Sequence, residues 1–226
     1  MDLPDPDGQL GIVAALDHPI RRALFRFLTE SGAWIGRDEA ARATAVPRSV
    51  AAFHLDKLAE AGAVDVRFER TSGRTGPGAG RPAKLYRRHF DEVTVSLPDR
   101  HYDLAGSVLA TAAAESVRNA EPITDCLHRA AHRAGVEVGI GSADAGDGEA
   151  VLEVLRRQGY EPVTLPNGEV ALGNCPFHRL AEQERELVCG MNLDFLGGVL
   201  EAVGATGLDA RLSPEPGFCC VRLSGG

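Results

Sequence analysis

From Ile12 to Leu28 an apolar side chain stands at every fourth position: Ile12, Leu16, Ile20, Leu24 and Leu28, with Phe25 and Phe27 widening the stripe. A four-residue spacing lines one face of an α-helix, whereas a half-buried strand would alternate apolar and polar at a period of two, and His18, Arg22 and Arg26 stand where that alternation needs apolar residues. The stripe is interrupted at Asp17-His18-Pro19. Proline is tolerated in a first helical turn, so a new helix is expected there, with Asp17 placed to cap it. Gly32 supplies its stop. Arg37–Ala43 reads as a short second helix with an acidic first turn, and Val46-Pro47-Arg48-Ser49 as a turn. A third helix opens at Ser49 or at Pro47 just before it. It carries Val50, Phe53, His54, Leu55, Leu58 and Ala59 as far as Gly62.

Beyond Gly62 the period changes from helical to alternating. Ala63–Phe68 alternates as a strand does, Thr71–Pro82 is a loop rich in Gly and Pro, and Ala83–Arg87 reads as the returning strand. Helix, helix, turn, helix, hairpin is the element order of a winged helix. Residues 1–10 read as a disordered arm ahead of it.

Charge divides at the same place. Residues 1–90 carry a balance of +3 and residues 91–226 one of −11, within a net charge of −8. A locally basic segment joined to a strongly acidic one suggests that one half meets a polyanion while the other has different work. The basic residues concentrate in the hairpin: seven Lys and Arg against the single acid Glu69 between Arg67 and Arg88. A basic hairpin tip can follow a phosphate backbone. The candidate DNA contacts are Arg48, Ser49, His54 and Lys57, presented outward by the third helix, and Arg74, Arg81 and Lys84 in the wing. Val50, Phe53, Leu55 and Leu58 are expected to pack inward in part.

The second half alternates helices with hairpins. Ala105–Asn119 and Ile123–Ala134 read as helices, residues 141–149 as a Gly/Asp loop, and Val151–Gln158 as a short amphipathic helix. Tyr160–Leu165 and Glu169–Leu172 form a hairpin across Pro166-Asn167-Gly168, Asn-Gly being a strong turn signal. Leu180–Val203 is helical, with an interruption expected at Cys189-Gly190. Ala210–Leu212 and Cys219–Leu223 form a second hairpin.

Four of the five cysteines fall in the last 52 residues, spaced C-x13-C-x29-C-C: Cys175, Cys189, Cys219 and Cys220. Cys175 opens Cys175-Pro176-Phe177-His178, a turn that can present a thiolate. The backbone amides exposed at a helix break would stabilise a thiolate at Cys189. Thiolates from separate elements can enclose a soft metal or an iron–sulfur cluster. Zinc usually shows tight C-x2-4-C knuckles, which this chain lacks; Cys175-x2-His178 comes nearest. In a strand, Cys219 would share a face with Val221 and Leu223, and Cys220 the opposite face with Phe218 and Arg222. Periodicity does not choose which of the two ligates, nor whether His178 is a ligand or a structural hydrogen-bonder. Cys126, alone in a helix, reads as a core residue. His128 and His132 share a helical face but have no third ligand in view.

These segments resemble a known family. Asp17-His18-Pro19-x-Arg21-Arg22 and Phe53-His54-Leu55-Asp56-Lys57-Leu58-Ala59-Glu60-Ala61-Gly62 look like winged-helix regulators of the ArsR and DeoR type, and Gly80-Arg81-Pro82-Ala83-Lys84-Leu85-Tyr86 is similar to the wing of their SufR-like branch. Asn174-Cys175-Pro176-Phe177-His178, Leu187-Val188-Cys189-Gly190-Met191-Asn192 and Pro214-x-Pro216-Gly217-x-Cys219-Cys220-Val221 resemble the sensor end of the same branch. The resemblance implies a homodimeric transcriptional regulator, a repressor of iron–sulfur cluster assembly genes. It would carry a 4Fe–4S cluster in the C-terminal domain and bind double-stranded operator DNA in the cluster-loaded form. The cluster would sense oxidative or nitrosative stress or iron status. The cyanobacterial pattern has four cysteines, one of them between the positions matched by Cys189 and Cys219, where this chain has none. The fourth ligand then falls to His178, Cys220, another side chain or an exogenous group. The competing expectation is a winged-helix regulator with a zinc site or a small-molecule effector pocket.

The expected architecture is α+β: a disordered arm over 1–10, a winged helix-turn-helix domain over 11–90, a linker over 91–104, and a C-terminal α+β sensor and dimerisation domain with β-hairpins over 105–226. The chain has 226 residues, 44% apolar and 25% charged, which suits one large domain or two small ones. No run of 18 apolar residues is present, so no membrane span is expected. The acidic, proline-rich start is unlike a secretory signal, so a cytoplasmic location is expected and a disulfide framework is not. No Gly-rich phosphate loop follows a strand, and a Cys175–His178 nucleophile–base pair three residues apart is weak support for catalysis, so no enzyme is expected.

Overall fold

The computed structural model describes residues 6–70, 82–90, 92–140, 148–205 and 207–225. They divide into two units, one ending at Val95 and one beginning at Ser96. Together they make a mixed helix-and-sheet protein of the α+β class.

The first unit opens with helix α1 (Pro6–Ala15), so part of the stretch expected to be an unstructured arm is helical. Its Ile12 is buried in the core of the unit. Helix α2 (Pro19–Ser31) follows. Its cap is His18 rather than the expected Asp17: the His18 imidazole accepts from the Ile20 N–H at 3.2 Å, and Pro19 fills the first turn. Gly32 closes α2 in the left-handed region, φ 62°, donating its N–H to Leu28. Strand β1 (Ile35–Gly36), helix α3 (Arg37–Thr44) and helix α4 (Arg48–Glu60) come next. Strands β2 (Val64–Glu69) and β3 (Ala83–Arg88) complete a three-stranded antiparallel sheet in the order β1-β3-β2. Leu24, Leu28, Leu55, Leu58 and Tyr86, all fully buried, are the centre of the core beneath this sheet. α3 and α4, joined by a tight turn at Ala45-Val46-Pro47, are the helix-turn-helix, and β2 and β3 are the stem of the wing.

The second unit is built on three long helices: α5 (Tyr102–Asn119), α6 (Ile123–Ile140) and, later in the chain, α9 (Arg185–Ala202). Between them come α7 (Gly148–Arg157), β4 (Pro162–Thr164), β5 (Val170–Leu172) and α8 (His178–Gln183); β6 (Leu208–Leu212) and β7 (Val221–Gly225) follow α9. The four strands form one antiparallel sheet in the order β4-β5-β7-β6. α6 runs past Ala134 to Ile140, six residues beyond the helix read from the sequence. Its glycines mark a close approach: a Cβ on Gly135 would lie 1.9 Å from the Phe195 carbonyl oxygen, and one on Gly198 2.1 Å from that of His132. α9 is unbroken through Cys189-Gly190, and the helical run is interrupted instead at Glu184, between α8 and α9. Phe195, Leu196 and Val199 of α9 are buried in the core of this unit.

Candidate nucleic-acid interface and metal centre

α4 presents Arg48, Ser49, Phe53 and Lys57 on one exposed face. Arg48 Nε lies 2.6 Å from Asp38 Oδ1 and Lys57 Nζ 2.5 Å from Glu60 Oε2, both at the surface. Surface pairs of this kind are worth little and exchange readily for a phosphate.

Two of the expected contacts, His54 and Lys84, are engaged within the unit. His54 does not face outward: it is 8% exposed, its ring packs tilted against His18 at 4.4 Å, and its Nδ1 has no hydrogen-bond partner among the described residues. Burial, followed by the nearby His18 and Arg21, lowers its pKa and so disfavours the charged ring. Phe53, expected to pack inward in part, takes the outward place and is 57% exposed. Lys84 is held inside its own unit. Its Nζ reaches Asp56 Oδ1 at 2.6 Å, and the same carboxylate accepts from Tyr86 Oη at 2.7 Å and from Arg37 Nη2 at 3.0 Å. Burial would raise the Asp56 pKa, but the bonds from Lys84 and Tyr86 and the charges of Arg37 and Lys84 hold it below its ordinary value. Burial and the bond to Asp56 push the Tyr86 phenol up to about 12. Arg74 and Arg81 lie outside the described residues. The helical pattern alone did not reveal Trp34, whose ring has the guanidinium groups of Arg67 at 4.4 Å and Arg87 at 4.6 Å, at the base of the wing.

The second unit brings the four late cysteines together. Cys175 lies on the loop leaving β5. That loop is pinned by Asn174, whose Nδ2 donates to the Asp99 carbonyl at 3.0 Å and the Gly159 carbonyl at 2.5 Å, and by Arg100, which donates to the Cys175 carbonyl at 3.2 Å. Cys189 is on the second turn of α9. Cys219 and Cys220 were expected in a strand, aimed to opposite faces. They lie just before β7, which starts at Val221, yet the alternation runs back through them: Cys219 is buried with Val221 and Leu223, and Cys220 is half-buried with Arg222. The Cys219 N–H donates to the Leu172 carbonyl at 2.8 Å, tying the bend to β5.

Aimed to opposite faces, the two adjacent thiols have two partners: Cys219 and Cys175 lie close enough to shift each other's titration, as do Cys220 and Cys189. All four are free thiols. A cavity of about 380 Å³ is lined by Cys175, Cys219, Cys220, His178 and Arg185. His178 stands at the rim, its Nε2 3.3 Å from Glu182 Oε1. Within the first pair the proton stays on Cys219. The neighbouring Cys219 thiol is the largest influence lowering Cys175 to about 7, opposed by burial and helped by the Phe177 N–H and the charge of Arg100. Cys219 is correspondingly raised, by Cys175 and by burial. Burial and Cys220 push Cys189 up to about 12, so the thiolate expected from a helix break is not supported there.

Among the described residues no three His, Cys, Asp or Glu side chains are grouped as a site for a single metal ion. Three soft sulfurs, Cys175, Cys219 and Cys220, line the cavity, and a fourth, Cys189 of α9, lies beside Cys220, a donor set that suits a thiolate-bound cluster or a thiophilic ion. Cys126 stands apart, buried in α6 with its thiol 3.7 Å from Glu121 Oε2. His128 pairs with Asp194, and His132 lies 3.2 Å from Glu201, so both histidines bridge α6 to α9.

Residues 16–67, from the end of α1 through α4 into β2, match a family model described as a helix-turn-helix domain. No curated protein matches the chain, and no solved structure matches it. None of the described helices is long and apolar enough to cross a membrane.

Proposed function

We propose that this helix-turn-helix protein is a transcriptional regulator whose binding to double-stranded operator DNA depends on a 4Fe–4S cluster held by Cys175, Cys189, Cys219 and Cys220. The DNA-binding half of the reading rests on the helix-turn-helix match, on the exposed polar face of α4 and on the basic wing. The observation that carries the cluster half is the convergence of four thiols, 45 residues apart at their extremes, three of them lining one cavity and Cys189 beside them. Arg48, Ser49 and Lys57 on α4 and Arg74 and Arg81 of the wing are the DNA contacts in this reading. A helix-turn-helix of this size reads one half-site, so a homodimer would place two α4 helices in successive major grooves roughly 34 Å apart.

When bound, a cluster of this type would supply a centre that responds to oxidants, nitric oxide and iron supply. The protein's own part is mechanical. The Cys175 loop leaves β5, the Cys219-Cys220 bend enters β7, and Cys189 belongs to α9. Ligation by all four would clamp one end of the sheet to α9. Any shift in DNA affinity is limited to the difference in ligand affinity between the competent and incompetent states. Repression of cluster-assembly genes is the regulatory role that fits such a sensor.

The test is anaerobic purification followed by an ultraviolet–visible spectrum, with iron, sulfide and zinc counted per chain. A broad band near 400–420 nm with about four irons supports the cluster. A colourless protein with one zinc would overturn it in favour of a zinc-bound regulator, for which an all-sulfur donor set is equally suitable. Cys175→Ser and Cys189→Ser should each abolish the cluster and leave residues 10–90 folded, whereas Cys126→Ser should leave it in place. Full occupancy in either of the first two variants would refute the ligand assignment.

A further inference from the structure

The recognition face of α4 carries an aromatic ring where a polar side chain would cost nothing. Phe53 is 57% exposed, while Ala51, Leu55 and Leu58 on the same helix are fully buried. It stands one turn from Ser49 and one turn from Lys57, at the middle of the exposed stripe. The ring is not loose. His54 meets it edge-on, centroids 5.1 Å apart at 77°, and His54 is itself packed against His18, which caps α2. A solvent-facing phenylalanine braced in this way is prepaid in side-chain entropy and still has an apolar face to cover.

If α4 enters a major groove, the chemistry of what covers that face is narrow. The groove edges of the four base pairs offer hydrogen-bond donors and acceptors and a single apolar group, the 5-methyl of thymine. We infer that Phe53 is a specificity-determining residue that reads a thymine methyl in each operator half-site, with His54 as the positioning residue that holds its ring. This rests on the DNA-binding reading and extends it: Arg48, Ser49 and Lys57 supply polar contacts around an apolar one. The buried His54 then has a role that an outward histidine would not have.

The experiment uses the full chain, purified anaerobically, to enrich sites from a random duplex pool. Each thymine of the enriched site is then replaced in turn by uracil, which lacks only the methyl, and affinity is measured for the wild type, Phe53→Ala and Phe53→Leu. The expected result is one position per half-site where uracil weakens wild-type binding about fourfold, the worth of one buried methyl. Phe53→Ala should show no penalty at that position, and Phe53→Leu should keep most of it. Identical uracil profiles for wild type and Phe53→Ala would overturn the inference while leaving DNA binding intact. So would a wild-type profile with no uracil-sensitive position. A pool from which nothing is enriched would overturn the DNA-binding reading and this inference with it.

Discussion

The side-chain amide of Asn192 donates from Nδ2 to the Cys219 sulfur at 3.3 Å, in a site where Asn192 is 1% exposed. Its Oδ1 accepts from the hydroxyl of Tyr160, which is fully buried. One amide therefore joins α9, the segment before β4 and the cysteine bend, and satisfies two buried groups at once. Burial, with the thiols of Cys219 and Cys175, raises the Tyr160 pKa well above its ordinary value, so the phenol stays a donor. Asn192→Leu would leave the Tyr160 hydroxyl without a partner. A loss of about 1–3 kcal/mol is expected, the cost of an unsatisfied buried donor. Urea unfolding followed by circular dichroism checks it, and an unchanged midpoint would show that the hydroxyl finds another acceptor.

The α6–α9 crossing is set by glycine. Any side chain at Gly135 or Gly198 would meet carbonyl oxygens of the facing helix far inside contact distance. Gly135→Ala and Gly198→Ala should each destabilise the second unit by about 3 kcal/mol, the upper range for overpacking. Gly106 in α5 is the control, with nothing within 4 Å of a Cβ. Gly106→Ala should stabilise by about 0.5–1 kcal/mol through helix propensity alone. Thermal melts that rank the three variants otherwise would place the helix contact elsewhere.

The same glycines explain where sequence reasoning stopped short. Gly135 and Gly139 look like breakers after Ala134, yet they are interior helix positions used for close approach, and only the partner helix reveals that. The true interruption at Glu184 sits in an exposed polar run that has no apolar period to break, while Cys189-Gly190 continues the helix because a helical Gly is only mildly unfavourable. Local chemistry was legible: Gly32 ends α2 with φ 62°, and Gly168 turns the β4–β5 hairpin with φ 85°. The outward place of Phe53 was missed although Ser49, Phe53 and Lys57 follow the helical four-residue step, because an aromatic side chain on a helix reads as core. The buried place of His54 was not legible either, because it depends on His18 from another helix. The pairing of Cys219 with Cys175 depends on β7 lying beside β5, which is a matter of topology rather than spacing.

Cys175 should be the most reactive of the four thiols in reduced, metal-free protein. Its pKa is lowered to about 7, so its thiolate fraction grows as pH rises through that value, whereas Cys189 at about 12 and the raised Cys219 remain protonated. Iodoacetamide should label Cys175 first, with a rate that climbs between roughly pH 6 and 8 and then levels off. Peptide mass spectrometry at a series of pH values reads this directly. Equal labelling of Cys175 and Cys219 at pH 7 would show that the shared proton is not held as described.

The wing offers a separation between a structural cation and a DNA-binding one. Lys84, 22% exposed in its side chain, is tied to Asp56 together with Tyr86 and Arg37, a knot that fastens β3 to α4 and to the start of α3. Lys84→Ala should lower the stability of the first unit by about 1 kcal/mol, and Asp56→Ala by more, because it strips three donors of their acceptor. Trp34, the only tryptophan, reports that unfolding by fluorescence. Arg81→Ala should leave the midpoint alone, weaken binding to unrelated DNA sequences alike and reduce the salt slope of binding by about 1. Lys84→Ala should leave that slope unchanged. A reduced slope with an unchanged midpoint for Lys84→Ala would mean that the lysine exchanges Asp56 for a phosphate when DNA arrives, and the knot would then be a resting arrangement of the free protein.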